Sequence, residues 1–305
     1  MLPDRQMMFG AIEAGGTKFA LAIGHGHDAI VAHTQIPTTT PAETLQRSIA
    51  WFQQQGPLKS LGIASFGPVD LDFSSETWGY ITGTTKPGWS QTNVAAFLGD
   101  ALCCPVGFDT DVNGAAIGEY MHGAARGCAV AIYVTVGTGI GGGAIVGGQT
   151  IKGVHHPEMG HVMLRRHPAD QDFGGVCSFH GDCLEGLASG PAIKARWGVS
   201  LSELAPDHIA HAIVADYLAQ FCQTLIALYS SQRIILGGGV LQTSGLLDKV
   251  RQHATMRAGS YFGVDAGTII MAPGLGTLSG IAGAFELAKS AADGDHTGSI
   301  AVDLS

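Results

Sequence analysis

The strongest constraint on the fold is a pattern of strand, glycine turn and strand that occurs twice in the sequence. The turns are Glu13-Ala-Gly-Gly-Thr-Lys18 and Thr135-Val-Gly-Thr-Gly139. The apolar runs on either side of them lie at residues 9–13, 19–23, 130–136 and 142–146. Because glycine accepts positive φ at no steric cost, we expect tight turns with positive φ at Gly15 and Gly16. The repeat predicts two similar halves produced by internal duplication.

Strand and helix patterns alternate along the rest of the chain. A first helix is expected from an N-cap at Thr40 to Gly56. Further strands are expected at residues 61–66, 106–109, 233–236 and 268–272, and further helices at 94–102, 112–121, 207–229, 246–254 and 278–289. This order predicts an α/β protein with a small domain over residues 1–118 and a large domain over residues 119–305, the final helix returning to the first domain. The tail from Ser290 onward is expected to be poorly ordered.

Composition narrows the class of protein. Glycine supplies 45 of 305 residues and charged residues 13%, which excludes a helix bundle or a coiled coil. A net charge of −9 without a basic stripe disfavours binding to nucleic acid. Neither an uncharged apolar run of about 18 residues nor an apolar export signal is present, so we expect a cytoplasmic protein that does not bind membranes. The six cysteines are then reduced thiols or metal ligands.

Cys177-Ser-Phe-His180-Gly-Asp-Cys183 has the spacing of a metal site. His161 lies sixteen residues before Cys177 and completes a set of two cysteines and two histidines. Four protein ligands would fill a tetrahedral zinc ion, so the site would be structural and would fix the loop over residues 155–185. The alternative is two buried cysteines and two surface histidines that never meet.

The two glycine turns are candidates for phosphate binding. Glycines let backbone N–H groups approach a phosphate closely, and two such turns facing one cleft would hold a triphosphate. A plain tight turn is the alternative for either turn alone. Gly137-Thr-Gly139-Ile-Gly-Gly142 also matches the dinucleotide fingerprint, but that motif requires a helix at its end, and a short strand pattern follows here. A dehydrogenase is therefore disfavoured.

Asp111 lies where a strand ends and a helix begins. From its position alone, Asp111 is expected to be the N-cap of that helix. A carboxylate at the end of a strand in an α/β fold also points toward the ligand crevice and can serve as a general base for a hydroxyl substrate. Glu158 and Glu185 flank the proposed zinc loop. They are either solvated surface carboxylates or acceptors for sugar hydroxyls.

Taken in order, these motifs resemble the ROK family of bacterial sugar kinases, which has the two-domain actin-like and hexokinase-like ATPase fold with ribonuclease H-like halves. The resemblance covers residues 9–288 and is greatest to the fructokinase branch, through Ala64-Ser-Phe-Gly-Pro68 and Thr85-Lys-Pro-Gly-Trp89. Many members have Asp where this chain has Glu13, and Asn where it has Thr110. Many also have three cysteines and one histidine around zinc.

The resemblance implies a role for each matching residue. Asp111 is expected to take the proton from the primary hydroxyl of a hexose, D-fructose above all, as that oxygen attacks MgATP. The sugar contacts implied are Thr110, Glu158, His161 and Glu185. The ATP contacts implied are Gly15, Gly16, Thr17, Lys18, Gly137, Thr138, Gly139, Gly237, Gly238 and Gly239. The structural zinc ligands are His161, Cys177, His180 and Cys183, and Glu13 is a water-mediated partner of Mg²⁺.

Other functions fit the sequence less well. ROK members include sugar-sensing repressors, but a repressor needs a DNA-binding domain, and only eight residues precede the first strand pattern. An actin-like structural module would bind ATP without sugar-stimulated turnover. Kinases for glucose, mannose or an N-acetylhexosamine remain open alternatives to a fructokinase. The resemblance to this family also leads us to expect a homodimer.

Overall fold

The computed structural model of the chain describes residues 7–294. In that range the strands are β1 (Met8–Ala14), β2 (Lys18–Gly24), β3 (Ile30–Pro37), β4 (Leu58–Ser65), β5 (Tyr80–Ile81), β6 (Thr92–Asn93), β7 (Val106–Thr110), β8 (Val130–Val136), β9 (Ile140–Val146), β10 (Gln149–Thr150), β11 (Arg233–Gly237) and β12 (Ile270–Met271). The α-helices are α1 (Pro41–Gln55), α2 (Ala95–Leu102), α3 (Asp111–His122), α4 (Leu184–Ala188), α5 (Gly190–Trp197), α6 (Ile209–Tyr229), α7 (Leu246–Ala258), α8 (Ala266–Ile269) and α9 (Ser279–Ala292).

Two mixed sheets repeat one strand order. The first is β3-β2-β1-β4-β7 and the second is β10-β9-β8-β11-β12. In the first sheet β1, β2 and β3 pair antiparallel, whereas β1–β4 and β4–β7 are parallel. In the second sheet β9–β10 is antiparallel, whereas β8–β11 and β11–β12 are parallel. The predicted α/β class and the predicted repeat of two halves are confirmed.

The chain divides into two compact units. The first contains the chain up to Gly123, the segment Ile145–Pro157 and the chain from Thr277 onward, and the second contains Ala124–Ala144 and Glu158–Gly276. Helix α9 therefore lies in the first unit, with β1 to β7. The predicted domain limits at residues 118 and 119 stay a prediction.

The first sheet is buried on both faces, because side chains alternate along β1. Ile12 points into a cluster of large side chains, and Ala11 lies in a second cluster on the other face. The large cluster includes Phe19, Phe52, Trp89, Leu98 and Phe108. The second cluster is built from small side chains of the sheet and from Ile281 and Phe285 of α9.

Helix α9 approaches its neighbours at backbone distance. A Cβ atom on Gly283 would collide with the Gly114 carbonyl oxygen of α3, and one on Gly62 of β4 would collide with the Ala284 carbonyl oxygen. Glycine at these positions is thus required by packing rather than by a turn. The buried Glu119 carboxylate also accepts a hydrogen bond from the Ser279 hydroxyl at 2.6 Å, which joins α3 to the start of α9.

Some expectations about helices, strands and the tail differ from the structure. Helices α4 and α5 were not predicted, because five and eight residues give too little periodicity to identify a helix. The strand expected at 268–272 is shortened to β12, since the helical turn α8 takes its first residues. Helix α9 continues to Ala292, so the expected disorder from Ser290 is wrong for the start of the tail. The rest of that tail, residues 295–305, lies outside the described residues.

Among the described residues, α6 is the one helix long and apolar enough by composition to cross a membrane. The apolar stretch of α6 is 67% buried within the protein, and its apolar residues at helical spacing are part of the core. A core helix of a folded domain can have the same length and composition, so α6 is weak support for a membrane span.

Candidate active site and metal centre

The first glycine turn joins β1 to β2. The Gly15 N–H donates to the Lys18 carbonyl at 2.9 Å, and the Thr38 hydroxyl donates to the Gly15 carbonyl at 2.7 Å. Gly15 and Gly16 do not have positive φ, so this expectation is wrong. The space beside Gly16 is open, because no atom lies within 4 Å of a Cβ built there. The backbone of the turn, with the exposed Thr17, is open to a ligand.

Glu13 precedes this turn and lies against α9. A Cβ atom on Gly280 would collide with the Glu13 carboxyl group, so glycine in the first turn of α9 makes room for the carboxylate. Burial raises the pKa of Glu13 above its usual value of 4.5, and the charge of Lys18 offsets part of that rise. The carboxyl group is therefore held beside the turn in surroundings that favour its neutral form.

Thr110, not Asp111, is the N-cap of α3. The Thr110 hydroxyl accepts the N–H of Asn113 at 3.0 Å. Asp111 is the first helical residue, and its Oδ1 accepts the N–H of Val112 at 2.9 Å. The capping role assigned to Asp111 from its position is therefore wrong, and its half-buried carboxylate lies at the positively polarised end of α3. The sugar contact expected of Thr110 stays a prediction.

Asp109 is a functional candidate that the sequence did not reveal. Its side chain is fully buried, and its Oδ1 accepts the Thr110 N–H at 2.8 Å and the Asn113 side-chain amide at 2.7 Å. Its Oδ2 lies 3.3 Å from both the Thr150 hydroxyl and the Lys152 ammonium group. One carboxylate thus fixes the junction of β7 and α3 on which Asp111 lies. The sequence signal that could have identified Asp109 is the Asp-x-Asp pattern at the end of the strand.

The second glycine turn meets Glu185. The Gly137 N–H donates to the Gly139 carbonyl at 2.9 Å, which closes the turn between β8 and β9. Glu185 Oε2 accepts the N–H of Ile140 at 2.9 Å, and it would lie 2.7 Å from a Cβ atom on Gly139. Glu185, which we expect to bind the sugar, is therefore adjacent to the turn that we expect to bind a phosphate. Thr138, at the tip of the turn, is exposed.

Gly190 is a second residue that the sequence analysis missed. It is the first residue of α5, and its N–H donates to the Gly137 carbonyl at 2.8 Å. A Cβ atom there would lie 3.1 Å from that oxygen and 3.9 Å from Val240. Gly190 thus brings together the second glycine turn, the start of a helix and the segment after β11. The signal was Ser-Gly-Pro, which is typical of a helix start.

The three glycines at the end of β11, Gly237 to Gly239, have different roles. A Cβ atom on Gly237 would collide with the Tyr133 hydroxyl, and one on Gly238, which has a φ of +91°, would collide with the backbone of Val136. Glycine is required at both positions by the close approach of β8. At Gly239 no atom lies within 4 Å of a Cβ, so of the three its backbone is the most open to a ligand.

The four predicted metal ligands converge. One ligand atom from each of them lies within 4.8 Å of every other. His161 Nδ1 is 3.7 Å from Cys177 Sγ, 3.6 Å from Cys183 Sγ and 3.3 Å from His180 Nδ1. Cys177 Sγ is 3.8 Å from His180 Nδ1. The alternative in which these side chains never meet is wrong.

These separations match a tetrahedral metal site. Around zinc, with Zn–S of about 2.3 Å and Zn–N of about 2.0–2.1 Å, a sulfur and a nitrogen would be about 3.6 Å apart and two nitrogens about 3.4 Å apart. Burial raises the pKa of the Cys183 thiol to about 11, so that thiol is protonated at neutral pH until a metal replaces its proton. The residues fit zinc in type, number and spacing.

The remaining predicted site residues fall into two groups. Glu13, the first turn and Asp111 belong to the first unit, whereas the second turn, Glu185 and the metal ligands belong to the second. Glu158 is exposed, and its carbonyl accepts the N–H of His161 at 3.1 Å. The sugar-binding and ATP-binding roles of all these residues stay predictions.

Comparisons with known proteins agree with this architecture. Residues 9–291 match the family model described as ROK family. A fructokinase of Zymomonas mobilis is 49% identical over 298 residues, which cover 95% of this chain and 99% of that protein. A putative fructokinase of Bacillus subtilis is 43% identical, with 93% and 96% covered. A ROK family glucokinase from Streptomyces griseus, solved in complex with glucose and AMPPNP, is 25% identical with a TM-score of 0.76, with 93% and 99% covered.

Proposed function

The chain belongs to the ROK family, and from this membership we propose that it is an ATP-dependent fructokinase that makes fructose 6-phosphate from D-fructose. The observation that carries the substrate is the 49% identity to a fructokinase across 95% of the chain. ROK kinases act on several hexoses, so membership of the family does not choose the sugar. The geometry of the site supports phosphoryl transfer, and the sequence identity to fructokinases supports fructose as the substrate.

Asp111 is the general base. Its carboxylate takes the proton of the sugar's primary hydroxyl as that oxygen bonds to the γ-phosphorus and the bond to the leaving ADP breaks. Its place in the first turn of α3, fixed by the Thr110 cap and by Asp109, supports this role. A positioned base contributes about 10² to 10⁴ in rate.

The phosphates of ATP bind at the two glycine turns. The exposed backbone at Gly16 and the junction of Gly137 with Gly190 support this assignment, because a helix start beside a glycine turn favours an anion. The nucleoside then lies at Gly239. Glu13 would hold a water of the Mg²⁺ that accompanies ATP, and that ion would supply charge neutralisation at the phosphates.

Glu185, Glu158 and His161 bind the sugar hydroxyls, and zinc is a structural ion. His161, Cys177, His180 and Cys183 hold that ion, and the match of their spacing to a tetrahedron supports it. Glu185 lies in the first turn of α4, two residues after Cys183, so a bound metal would fix the segment that carries a sugar ligand.

The test of function is a panel of D-fructose, D-glucose, D-mannose and N-acetylhexosamines with MgATP, read by ADP release. We expect the highest kcat/KM with D-fructose. Asp111→Asn should lower kcat by about 10² to 10⁴, whereas Asp100→Asn, an exposed position of α2, should not. Preference for another hexose would contradict the substrate, and full turnover of Asp111→Asn would contradict the base.

Glu185 has its own test. Glu185→Ala should raise the KM for the sugar with the fold intact. Glu185→Gln keeps an acceptor for the Ile140 N–H and should retain more of the affinity. An unchanged KM in both variants would mean that Glu185 does not bind the sugar and only supports the second turn.

The assembly and location of the protein are part of the same proposal. We expect a cytoplasmic homodimer. Light scattering of the purified protein should give twice the mass of the chain, and the mass of one chain would contradict the dimer.

A further inference from the structure

A buried charge cluster anchors the metal loop, defined here as residues 161–183. Asp170, in the middle of the loop, is 5% exposed. Its Oδ2 accepts a hydrogen bond from the Tyr217 hydroxyl of α6 at 2.6 Å and lies 2.9 Å from the Arg196 guanidinium of α5. The Arg196 guanidinium also stacks on the Phe173 ring, 4.0 Å from its centre. One part of the metal loop is thus fixed to α5 and α6.

Arg166 connects this anchored part to the arm that carries Cys183. Its Nη2 donates to the Asp170 and Phe173 carbonyls, the latter at 2.5 Å. Its Nη1 donates to Asp182 Oδ2 at 3.1 Å, and Asp182 is the residue before Cys183. A planar guanidinium with a fixed fork of donors can hold two chain segments at one spacing. Lysine, with a single ammonium group, cannot reproduce all three contacts.

Arg166 lies on the arm that carries His161, and that arm pairs with the arm that carries Cys183. The Leu184 N–H donates to the Val162 carbonyl at 2.9 Å, and Met163 pairs with Cys183 in an antiparallel bridge. His161 and Cys183 are therefore adjacent across this junction, with 3.6 Å between Nδ1 and Sγ. Backbone pairing and the contacts of Arg166 therefore hold the two arms together.

We infer that Arg166 is a positioning residue for the metal site, holding the arm with Cys183 at the distance that the metal requires. The inference rests on the proposed zinc site. Groups that orient metal ligands from outside the coordination shell cost about 10- to 100-fold in affinity when removed. Arg166 contacts none of the four ligands, so its effect on the metal passes through the loop backbone.

The first experiment compares two neighbouring arginines. Zinc affinity is measured by competition with a chromophoric chelator for the wild type, Arg166→Met and Arg165→Met. Arg165 is exposed, and its hydrogen bonds to Gln220 are made by its backbone. We expect affinity about 10- to 100-fold lower in Arg166→Met and unchanged in Arg165→Met. Equal affinities in the two variants would overturn the inference.

A double-mutant cycle separates positioning from a general loss of stability. Asp182→Asn removes the charge that pairs with Arg166 in the same contact, so its effect and that of Arg166→Met should not add. The double variant should bind zinc no more weakly than Arg166→Met alone. Additive losses would mean that the two residues act independently and would overturn the inference.

Asp182→Asn also decides the matter if Arg166→Met fails to fold. The Asp170 carboxylate also lies 3.8 Å from the Arg166 guanidinium, so the amide at position 182 does not leave the Arg166 charge unpaired. The control is Asp172→Asn, an exposed position in the same loop with the same change of charge. Equal zinc affinity in the two would overturn the role of Arg166. A wild-type protein without zinc affinity would contradict the zinc site itself, which is a different result.

Discussion

The Nζ atom of Lys152 lies 3.3 Å from Oδ2 of Asp109, a carboxylate with no exposed surface. Lys152 follows β10, whereas Asp109 lies in β7 two residues before Asp111. The pair therefore fixes the segment Ile145–Pro157 to the strand that carries the proposed base. A single ion pair joins parts of the first unit that are far apart in sequence.

Lys152→Met should destabilise the protein. The substitution leaves the buried Asp109 carboxylate with the hydrogen bonds of Thr110, Asn113 and Thr150 alone, so we expect a loss of about 1–3 kcal/mol in the free energy of unfolding. Urea denaturation measures it, with the exposed Lys194→Met as control. The double variant with Asp109→Asn should lose less than the sum of the two single losses, and additive losses would contradict the pairing.

Thr110→Ala should affect both stability and sugar binding. Loss of an N-cap costs about 1 kcal/mol, and Thr40→Ala, which removes the corresponding cap of α1, should cost a similar amount. If Thr110 also contacts the sugar, the KM rises in Thr110→Ala alone, as we expect. An unchanged KM in both variants would mean that Thr110 caps α3 but does not contact the sugar.

Glu13→Gln should make the protein more stable and less active. Burial raises the pKa of Glu13, so between the usual pKa and the raised one the folded state binds more protons than the unfolded state, and stability falls as the pH rises. The amide removes this penalty. The melting temperature should exceed that of the wild type at pH 8, and the difference should disappear below pH 4. Activity with MgATP should fall, and unchanged activity would contradict the assignment of Glu13 to Mg²⁺.

Gly283→Ala should destabilise the protein strongly. Its Cβ would collide with a carbonyl oxygen of α3, and neither helix backbone can move without disturbing the sheet beneath. We expect a loss of about 3 kcal/mol. Gly153→Ala is the control, because no atom lies within 4 Å of a Cβ there. Similar stability of the two variants would mean that α9 can shift away from α3.

Part of the site was readable from the sequence because its signals are local. Cys177, His180 and Cys183 lie at a spacing that suits one metal ion, and the structure brings all three together with His161. The junction between β7 and α3 was also placed correctly. Which residue caps α3 was not, because Thr110 and Asp111 both suit the position and the choice depends on how β7 enters the helix.

Contacts between distant segments could not be predicted in this way. Nothing near Asp109 in the sequence indicates Lys152 as its partner, and nothing near Arg166 indicates that it joins Asp170 to Asp182. Gly190 likewise became a candidate through its hydrogen bond to Gly137. The residues of each contact meet only because the tertiary fold brings distant segments together.

The sequence by itself determined the α/β class, the repeated glycine turns and the ligand set, since periodicity, turn residues and ligand spacing are properties of short segments. The tertiary structure decided what many of the glycines do. The turns at Gly16 and Gly137 do leave backbone open, but Gly62 and Gly283 permit contact between backbones. A missing Cβ has the same appearance in a sequence whether a ligand or another helix occupies the space, and only the fold determines which of them is there.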